Sequence, residues 1–314
     1  MSITESQLSS LAIDALNFYP LKVKEIRLIN NEYNATFKVV TNDNQQFALR
    51  ININSPRTIE NLKAEVFWVN HLFLDGRVNV AKPIQTNEGD LFISIQSEFA
   101  GREVNCVLYS WLPGIELDDE PDLIQVKALG EAMALMHQVA KDFHLPADSK
   151  LPVLDDVMWW TEDFLLSDKS VLDQESKDLI SQALQIIDAH IKALYIEATP
   201  IVIHADLHGG NVLWNSNSLS VLDFDDSGIG LPVQDLATAI YYLDTPEQDA
   251  ALREGYSAVA PLPEMSDRDL EVFTIQRRII LLNYLYETKN EEHRALIPDY
   301  LEESLRRIKN FLKI

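Results

Sequence analysis

The chain has 314 residues, of which 46% are hydrophobic, and its 49 acidic and 26 basic residues give a net charge of -23. Such a charge disfavours nucleic acid and anionic membranes as partners, because both are themselves negative. The sequence lacks an apolar run near the roughly 18 residues of a membrane helix and an N-terminal signal peptide, so we expect a globular protein of the cytoplasm.

The first hundred residues predict one helix followed by β-structure. Thr4 is a good cap for a helix over 4–18, where apolar residues recur at helical spacing. Strand-like runs follow at 22–29, 34–40 and 46–53, and the turn composition Thr-Asn-Asp-Asn joins the last two. A further hairpin is expected from 83–86 and 91–95, and a strand from 104–111.

A helix is expected to start at Ser55-Pro56, a capping hydroxyl followed by proline, and to end at Gly76. Glu65 lies next to the apolar stripe of this helix, so its carboxylate could reach Arg50 on the preceding strand. Glu60 is an alternative partner for Arg50, and a solvent-exposed Glu65 is a further alternative, but we favour Glu65 as the partner.

Beyond residue 113 the pattern becomes helical, with amphipathic helices predicted at 122–139, 178–195, 235–243, 273–286 and 296–312. The segment 155–163 combines acidic residues with Trp159 and Trp160. Aromatic faces beside carboxylates suit an ammonium ligand, although packing in the core would also explain two tryptophans.

The most informative stretch is I-V-I-H-A-D-L-H-G-G-N-V-L-W-N-S-N-S-L-S-V-L-D-F-D-D, residues 201–226. A β-branched strand leads into a polar loop, and two apolar runs joined by Asn-Ser-Asn-Ser predict a hairpin. If Trp214 faces Leu219 across that turn, Asn211 falls beside Leu222 and Asp223. Magnesium takes one or two such oxygen ligands from protein, and Asp206 is then available to accept the proton of an attacking hydroxyl.

The spacing H-x-D-x-x-x-x-N, the later D-F-D and the following G-I-G-L-P-V-Q-D-L-A resemble the aminoglycoside phosphotransferase and choline kinase family. This resemblance implies an α+β, two-lobed protein-kinase-like fold. The N-lobe, residues 1–112, would be a small antiparallel β-sheet with a helix, and the C-lobe, residues 113–314, would be mainly helical. It also implies transfer of the γ-phosphate of ATP to a hydroxyl, with Mg²⁺ as the metal.

The resemblance assigns roles to individual residues. Asp206, Asn211 and Asp223 would be catalytic, and the last two would hold the metal. The residues expected to contact the nucleotide are Arg50 (in place of the usual lysine), Glu65, Asn34, Tyr109 and Trp111. Candidate substrate contacts are His208, Asp225, Trp159 and Trp160. Asp235 would support the catalytic loop, and His137 is expected to be a packed, hydrogen-bonded histidine.

Three interpretations of function remain open. The first is a small-molecule kinase that acts on an aminoglycoside, a choline-like alcohol or homoserine. The stretch D-D-S-G-I-G-L-P-V-Q-D-L is also similar to bacterial stress-response kinases that act on protein serine or threonine. A non-catalytic, nucleotide-binding pseudokinase is suggested by Arg50 and by the absence of glycine from the loop at 30–34. Arg277 and Arg278 are expected to be surface ion-pair partners.

Overall fold

The computed structural model describes residues 3–31, 33–117, 121–159 and 161–314. The chain divides into two compact units, each made of several segments. The first unit comprises residues 1–119, 142–151 and 209–225, and the second comprises 120–141, 152–208 and 226–314. Within the described ranges, none of the helices is both long and apolar enough to cross a membrane.

The elements follow one another in this order: α1 (Glu5–Leu16), β1 (Val23–Asn31), β2 (Ala35–Thr41), β3 (Gln46–Ile51), α2 (Ile59–Asp75), β4 (Asn79–Val80), β5 (Ile93–Ser97), β6 (Arg102–Ser110), β7 (Ile115–Glu116), α3 (Leu123–Ala140), α4 (Gln174–Glu197), β8 (Ile201–Ile203), β9 (Val212–Asn215), β10 (Ser218–Val221), β11 (Gly228–Gly230), α5 (Pro232–Tyr241), α6 (Pro246–Val259), α7 (Asp267–Glu287), α8 (Glu291–Ala295) and α9 (Ile297–Leu312).

The main sheet of the first unit is antiparallel and has the strand order β1-β2-β3-β6-β5. Along β2 the residues Ala35, Phe37 and Val39 are buried while their neighbours are half-buried, which is the period-2 pattern of a strand with one face on a core. Helix α1 packs its apolar face on this core and begins at a capping box between Thr4 and Gln7. The predicted helix and strands are therefore confirmed.

Two predictions for this unit were wrong in detail. Helix α2 begins at Ile59 rather than at Ser55-Pro56, because Thr58 caps it and Asn61 completes a capping box. The expected hairpin of 83–86 with 91–95 does not form. Strand β5 pairs with β6 instead, and the N–H of Ile84 donates to the carbonyl of Leu108 at 2.7 Å.

A second sheet in the same unit has the order β4-β10-β9-β7. The β9–β10 hairpin has the predicted register, with Trp214 opposite Leu219. Strand β7 pairs with the outer edge of β9, and β4 runs parallel to β10. This sheet fixes the hairpin on both sides, and the hairpin positions the residues that follow β10.

The second unit is mainly helical, as expected. Helices α4, α5, α7 and α9 bury their apolar faces in one core, while α3 and α6 pack against each other at close range. Helix α6 was not predicted, since its few buried side chains stand among charged and polar residues. A short ladder between β8 and β11 lies within this unit, and β8 leads directly into the loop that begins at His204. The chain therefore combines an antiparallel sheet with a mainly helical unit, which confirms the α+β class.

Candidate active site

The hairpin in the first unit brings Asn211 next to the residue that precedes Asp223. The N–H of Leu222 donates to the carbonyl of Asn211 at 3.0 Å, which extends the β9–β10 ladder by one further bond. The carboxylate of Asp223 is exposed, and its φ of +59° is unusual for a residue other than glycine. Such a backbone conformation is found often at functional sites.

These two residues are a suitable donor set for a hard divalent cation. They offer a carboxylate and an amide oxygen, the ligand type that Mg²⁺ and Ca²⁺ prefer. Across the described ranges, no group of three or more His, Cys, Asp or Glu side chains could hold a metal ion. A cation bound by Asn211 and Asp223 would therefore complete its shell with phosphate oxygens and water.

Arg50 and Glu65 form the ion pair that the sequence predicted. Arg50 lies on β3, an interior strand of the main sheet, and its Nη2 is 2.7 Å from each carboxylate oxygen of Glu65. The side chain of Glu65 is buried and that of Arg50 is 11% exposed, whereas Glu60 is exposed. Burial raises the pKa of Glu65 to about 7, against the opposing charge of Arg50.

Asp225 connects this ion pair to the loop between β1 and β2. The Nδ2 of Asn34 donates to Oδ2 of Asp225 at 2.9 Å, and Nη1 of Arg50 lies 3.9 Å from Oδ1. Arg57, which the sequence analysis did not single out, donates from Nη2 to the backbone carbonyl of Asp225. In the first unit, the glycine-free loop is thus tied through Asn34 to the polar cluster around Arg50.

Tyr109 lies near the end of β6 beside this cluster, and Trp111 directly follows the strand. The ring of Tyr109 is 5.8 Å from the guanidinium carbon of Arg50, and burial raises the pKa of its hydroxyl. The ammonium of Lys38 lies 4.3 Å from the centre of the Trp111 ring, and the backbone N–H of Trp111 donates to the carbonyl of Gln46 at 3.2 Å. The contact of Tyr109 and Trp111 with the nucleotide stays a prediction.

In the second unit, Asp235 holds the start of the loop that begins at His204. Its carboxylate accepts hydrogen bonds from the backbone N–H groups of His204 at 3.0 Å and Ala205 at 2.6 Å. Nε2 of His137 lies 2.9 Å from the same carboxylate, and Nδ1 of His137 lies 2.9 Å from the hydroxyl of Tyr256. The expectation of a packed, hydrogen-bonded His137 is confirmed.

Asp206 is surrounded by groups that favour its ionised form. Nη2 of Arg277 donates to Oδ1, and Nε2 of His208 lies 3.7 Å from Oδ2. Burial alone would raise the pKa of Asp206, but the charge of Arg277 and the neighbouring histidines hold it below its usual value. The ring of His208 stacks on that of Tyr242, with the centroids 4.4 Å apart.

The prediction that Arg277 and Arg278 lie on the surface was wrong. Their exposures are 6% and 7%, and both guanidinium groups are hydrogen-bonded inside the second unit. The sequence of residues 273–282, F-T-I-Q-R-R-I-I-L-L, already indicates that these arginines lie in an apolar stretch of the helix. Both arginines have apolar residues three or four positions away along the helix, which favours burial and an internal partner for at least one of them.

Trp159 packs against the residues around β8, namely Leu154, Ile203 and Ala205. Its φ of +56° is rare for a bulky side chain. Asp156 accepts a hydrogen bond from the N–H of Met158 at 2.9 Å, and burial raises the pKa of this carboxyl. Trp160, the other predicted contact of this segment, lies outside the described residues.

Comparison with known proteins finds a phosphotransferase family and two kinases that are similar to this chain. The model of the "Phosphotransferase enzyme family" matches residues 25–267. Amicoumacin kinase of Bacillus subtilis (strain 168) is 25% identical over 226 residues, which cover 71% of this chain and 64% of that relative. The match thus spans somewhat less than two thirds of the relative's length. Hydroxylysine kinase of Bos taurus is 23% identical, with 83% of this chain and 77% of the relative covered.

The fold is also shared with a solved structure of amicoumacin kinase hAmiN in complex with AMP-PNP, Ca²⁺ and Ami. The TM-score is 0.78 at 19% identity, with 97% of this chain and 94% of that chain covered. This likeness extends over nearly the whole of both chains and confirms the kinase-like fold. The family model covers well over half of the sequence, and the chain belongs to the phosphotransferase enzyme family.

Proposed function

We propose that the chain transfers the γ-phosphate of ATP to a hydroxyl group of a small molecule that carries an amine. The observation that carries the proposal is the β9–β10 register, which brings Asn211 beside the residue preceding the exposed Asp223. This pair supplies the oxygen ligands of a divalent cation. The relative solved with AMP-PNP and Ca²⁺ supports the use of a nucleotide and of such a cation.

The reaction exchanges one P–O bond for another. The acceptor hydroxyl oxygen bonds to the γ-phosphorus, the bond from that phosphorus to the bridging oxygen breaks, and ADP leaves with the bonding electron pair. The hydroxyl proton passes to the carboxylate of Asp206 and from there to water. Positioning and charge stabilisation supply most of the rate in such transfers.

Different residues of the chain would have different roles in this reaction. Arg50, held by Glu65, steadies the phosphates, and Asn211 and Asp223 hold the cation. When bound, Mg²⁺ would neutralise charge on the phosphate oxygens. Asp206 accepts or orients the hydroxyl proton, which requires it to be ionised. Its partners Arg277 and His208 favour that form.

Two observations support an amine on the acceptor. Trp159 packs against Ala205, the residue before Asp206, and the same segment carries the carboxylates of Asp155 and Asp156. Aromatic and acidic groups together attract ammonium groups, and hydroxylysine kinase is named for an acceptor of that kind. The two curated relatives are both named for small molecules, which favours this acceptor class over protein serine or threonine. We also infer a cytoplasmic location, where ATP is supplied.

The test is transfer of labelled γ-phosphate from Mg·ATP to a panel of acceptors. The panel holds hydroxylysine, 1-amino-2-propanol, choline, homoserine, an aminoglycoside and a basic protein, and each amine is paired with its amine-free alcohol. Label on amino alcohols, lost in Asp206→Asn, is the expected result. Label on protein alone would replace the small-molecule proposal with the protein-kinase interpretation. Absence of both transfer and ATP hydrolysis, with nucleotide still bound, would support the pseudokinase.

A further inference from the structure

Arg277 is a buried charge on α7 whose anionic hydrogen-bond partner is Asp206. Its exposure is 6%, and Nη2 donates to Oδ1 of that carboxylate. A buried guanidinium is costly unless it is paired and hydrogen-bonded. A buried arginine is therefore paired with the carboxylate that would accept the hydroxyl proton in the proposed reaction.

Tyr242, directly after α5, fixes the orientation of this guanidinium. Its hydroxyl accepts from both Nη2 of Arg277 at 2.6 Å and Nε at 3.2 Å. The ring of Tyr242 also stacks on His208, whose Nε2 is 3.7 Å from Oδ2 of Asp206. Arg277 and His208 thus approach the two oxygens of one carboxylate, and Tyr242 contacts both of these residues.

Arg278, the next residue along α7, provides an internal comparison. It is equally buried, but its guanidinium donates to neutral oxygens, those of Ser304, Tyr241 and Tyr300. Helix packing therefore does not require a buried arginine here to be paired with an acid. Because a buried ion pair adds little net stability compared with apolar packing, the Arg277–Asp206 pair calls for a reason other than stability.

We propose that Arg277 is a positioning residue for phosphoryl transfer: its guanidinium, oriented by Tyr242, holds the Asp206 carboxylate in the orientation that receives the acceptor hydroxyl. The inference rests on the proposed function, since it concerns the residue that accepts the proton. The inference adds to the proposed function a role for Arg277 on α7 and for Tyr242 after α5. The charged or titratable groups that act on Asp206 are Arg277, His208 and His204, and Asp226 also acts on Arg277 through its charge.

The test compares Arg277→Ala with Arg278→Ala, using transfer from Mg·ATP to hydroxylysine and hydrolysis of Mg·ATP as readouts. We expect kcat per folded molecule to fall on the order of 100-fold in Arg277→Ala, the loss that a small misplacement of a catalytic group causes, with the KM for ATP unchanged. Added guanidinium ion should restore part of this activity. Arg278→Ala should lose stability but keep its kcat, and guanidinium should not help it.

The pH profile separates positioning from a general structural role. Removing the charge of Arg277 should move the limb of kcat/KM that reports Asp206, which is distinct from the one that Glu65 produces near pH 7, to higher pH, because Asp206 then binds its proton more tightly. Tyr242→Phe keeps the ring stacked on His208 and removes only the hydroxyl, so it serves if Arg277→Ala does not fold. We expect about a tenfold loss of kcat from it, the value of one hydrogen bond to a charged group.

Asp206→Asn, measured in parallel, distinguishes a failure of the positioning role from a failure of the proposed function. If it is inactive while Arg277→Ala and Tyr242→Phe both keep wild-type kcat, the positioning role is wrong and the proposed function stands. Equal losses and equal rescue in the Arg277 and Arg278 variants would also overturn the positioning role. If Asp206→Asn retains full transfer, the role of Asp206 fails and that of Arg277 fails with it.

Discussion

The carboxylate of Asp235 accepts a hydrogen bond from the backbone N–H of Ala205 at 2.6 Å, and Ala205 has a φ of +68°. A left-handed residue other than glycine costs on the order of 1–3 kcal/mol and persists only where its surroundings enforce it. Asp235 is fully buried and also accepts from the N–H of His204. This carboxylate therefore enforces the backbone conformation directly before Asp206.

The first prediction is that Asp235→Asn lowers both stability and activity. The amide matches the carboxylate in size, but it replaces one acceptor oxygen with a donor that faces backbone N–H groups. We expect the free energy of unfolding to fall by about 1.5–3 kcal/mol, as measured by urea denaturation, and the transfer rate to fall in the molecules that remain folded. The exposed Asp178→Asn on α4 is the control and should change stability by about 0.5 kcal/mol or less.

The lowered pKa of Asp235 also predicts a pH dependence of the free energy of unfolding. Burial would raise its pKa, but the hydrogen bond and charge of His137, with the N–H of His204, hold the pKa below the ordinary value of 3.8. The stability that this group contributes is therefore present above pH 3.8 and is lost as the pH falls through the lower, folded-state pKa. Acid unfolding of Asp235→Asn should be less steep than that of the wild type. Parallel curves would show that another group dominates.

The Arg50–Glu65 pair predicts a pH dependence of activity. Because the pKa of Glu65 is about 7, the carboxylate loses its charge as the pH falls through that value, and Arg50 loses its ionic partner. We expect kcat/KM for ATP to decline on the acid side of pH 7. In Glu65→Gln this limb should disappear, since the amide does not titrate. Persistence of the limb in that variant would assign it to another group.

The same ionisation affects folding with a defined sign. The folded-state pKa of Glu65 lies above its ordinary value of 4.5, so the folded chain binds this proton more tightly than the unfolded chain. The contribution of Glu65 to stability therefore decreases as the pH rises from 4.5 to 7. Urea denaturation over this range should show a smaller pH dependence in Glu65→Gln than in the wild type.

We expect the substitution Asp223→Ala to abolish activity and to leave the fold intact. The carboxylate is exposed, so Asp223→Ala removes little packing, and the apparent Tm should stay close to that of the wild type. Transfer should fall by at least about 10²–10³-fold, the effect of removing one preorganised electrostatic contact. Asp223→Asn is the matched control for the backbone, because asparagine tolerates a positive φ. Full transfer by Asp223→Ala would contradict the metal role.

Much of the site could be predicted because its residues are close together in sequence. Asn211, Leu222 and Trp214 belong to one hairpin, and the alternation of apolar residues on either side of a four-residue turn fixes its register. The pair of Arg50 and Glu65 also follows from a strand and the next helix. Local periodicity was sufficient for the hairpin, whereas the choice of Glu65 over Glu60 also relied on the resemblance to kinases.

The partners of Asp206 could not be predicted in the same way. Arg277 and Tyr242 lie 71 and 36 positions beyond it in the sequence, on helices whose packing depends on residues throughout the second unit. Periodicity shows which face of α7 is apolar, but it does not show which loop that face meets. A buried arginine inside an apolar run indicates that an internal partner exists and leaves its identity open.

The contact between α3 and α6 provides the last prediction, which concerns stability alone. A Cβ added to Gly255 would lie 1.9 Å from the carbonyl oxygen of Lys127, and one added to Gly130 would lie 2.0 Å from that of Leu252. Alanine favours a helix over glycine by about 1 kcal/mol, but here the backbones must separate, and such overpacking costs about 1–3 kcal/mol. Gly255→Ala should therefore lower the apparent Tm, whereas Ser257→Ala, at an exposed position of the same helix, should not. A raised Tm in Gly255→Ala would show that the two helices can move apart at little cost.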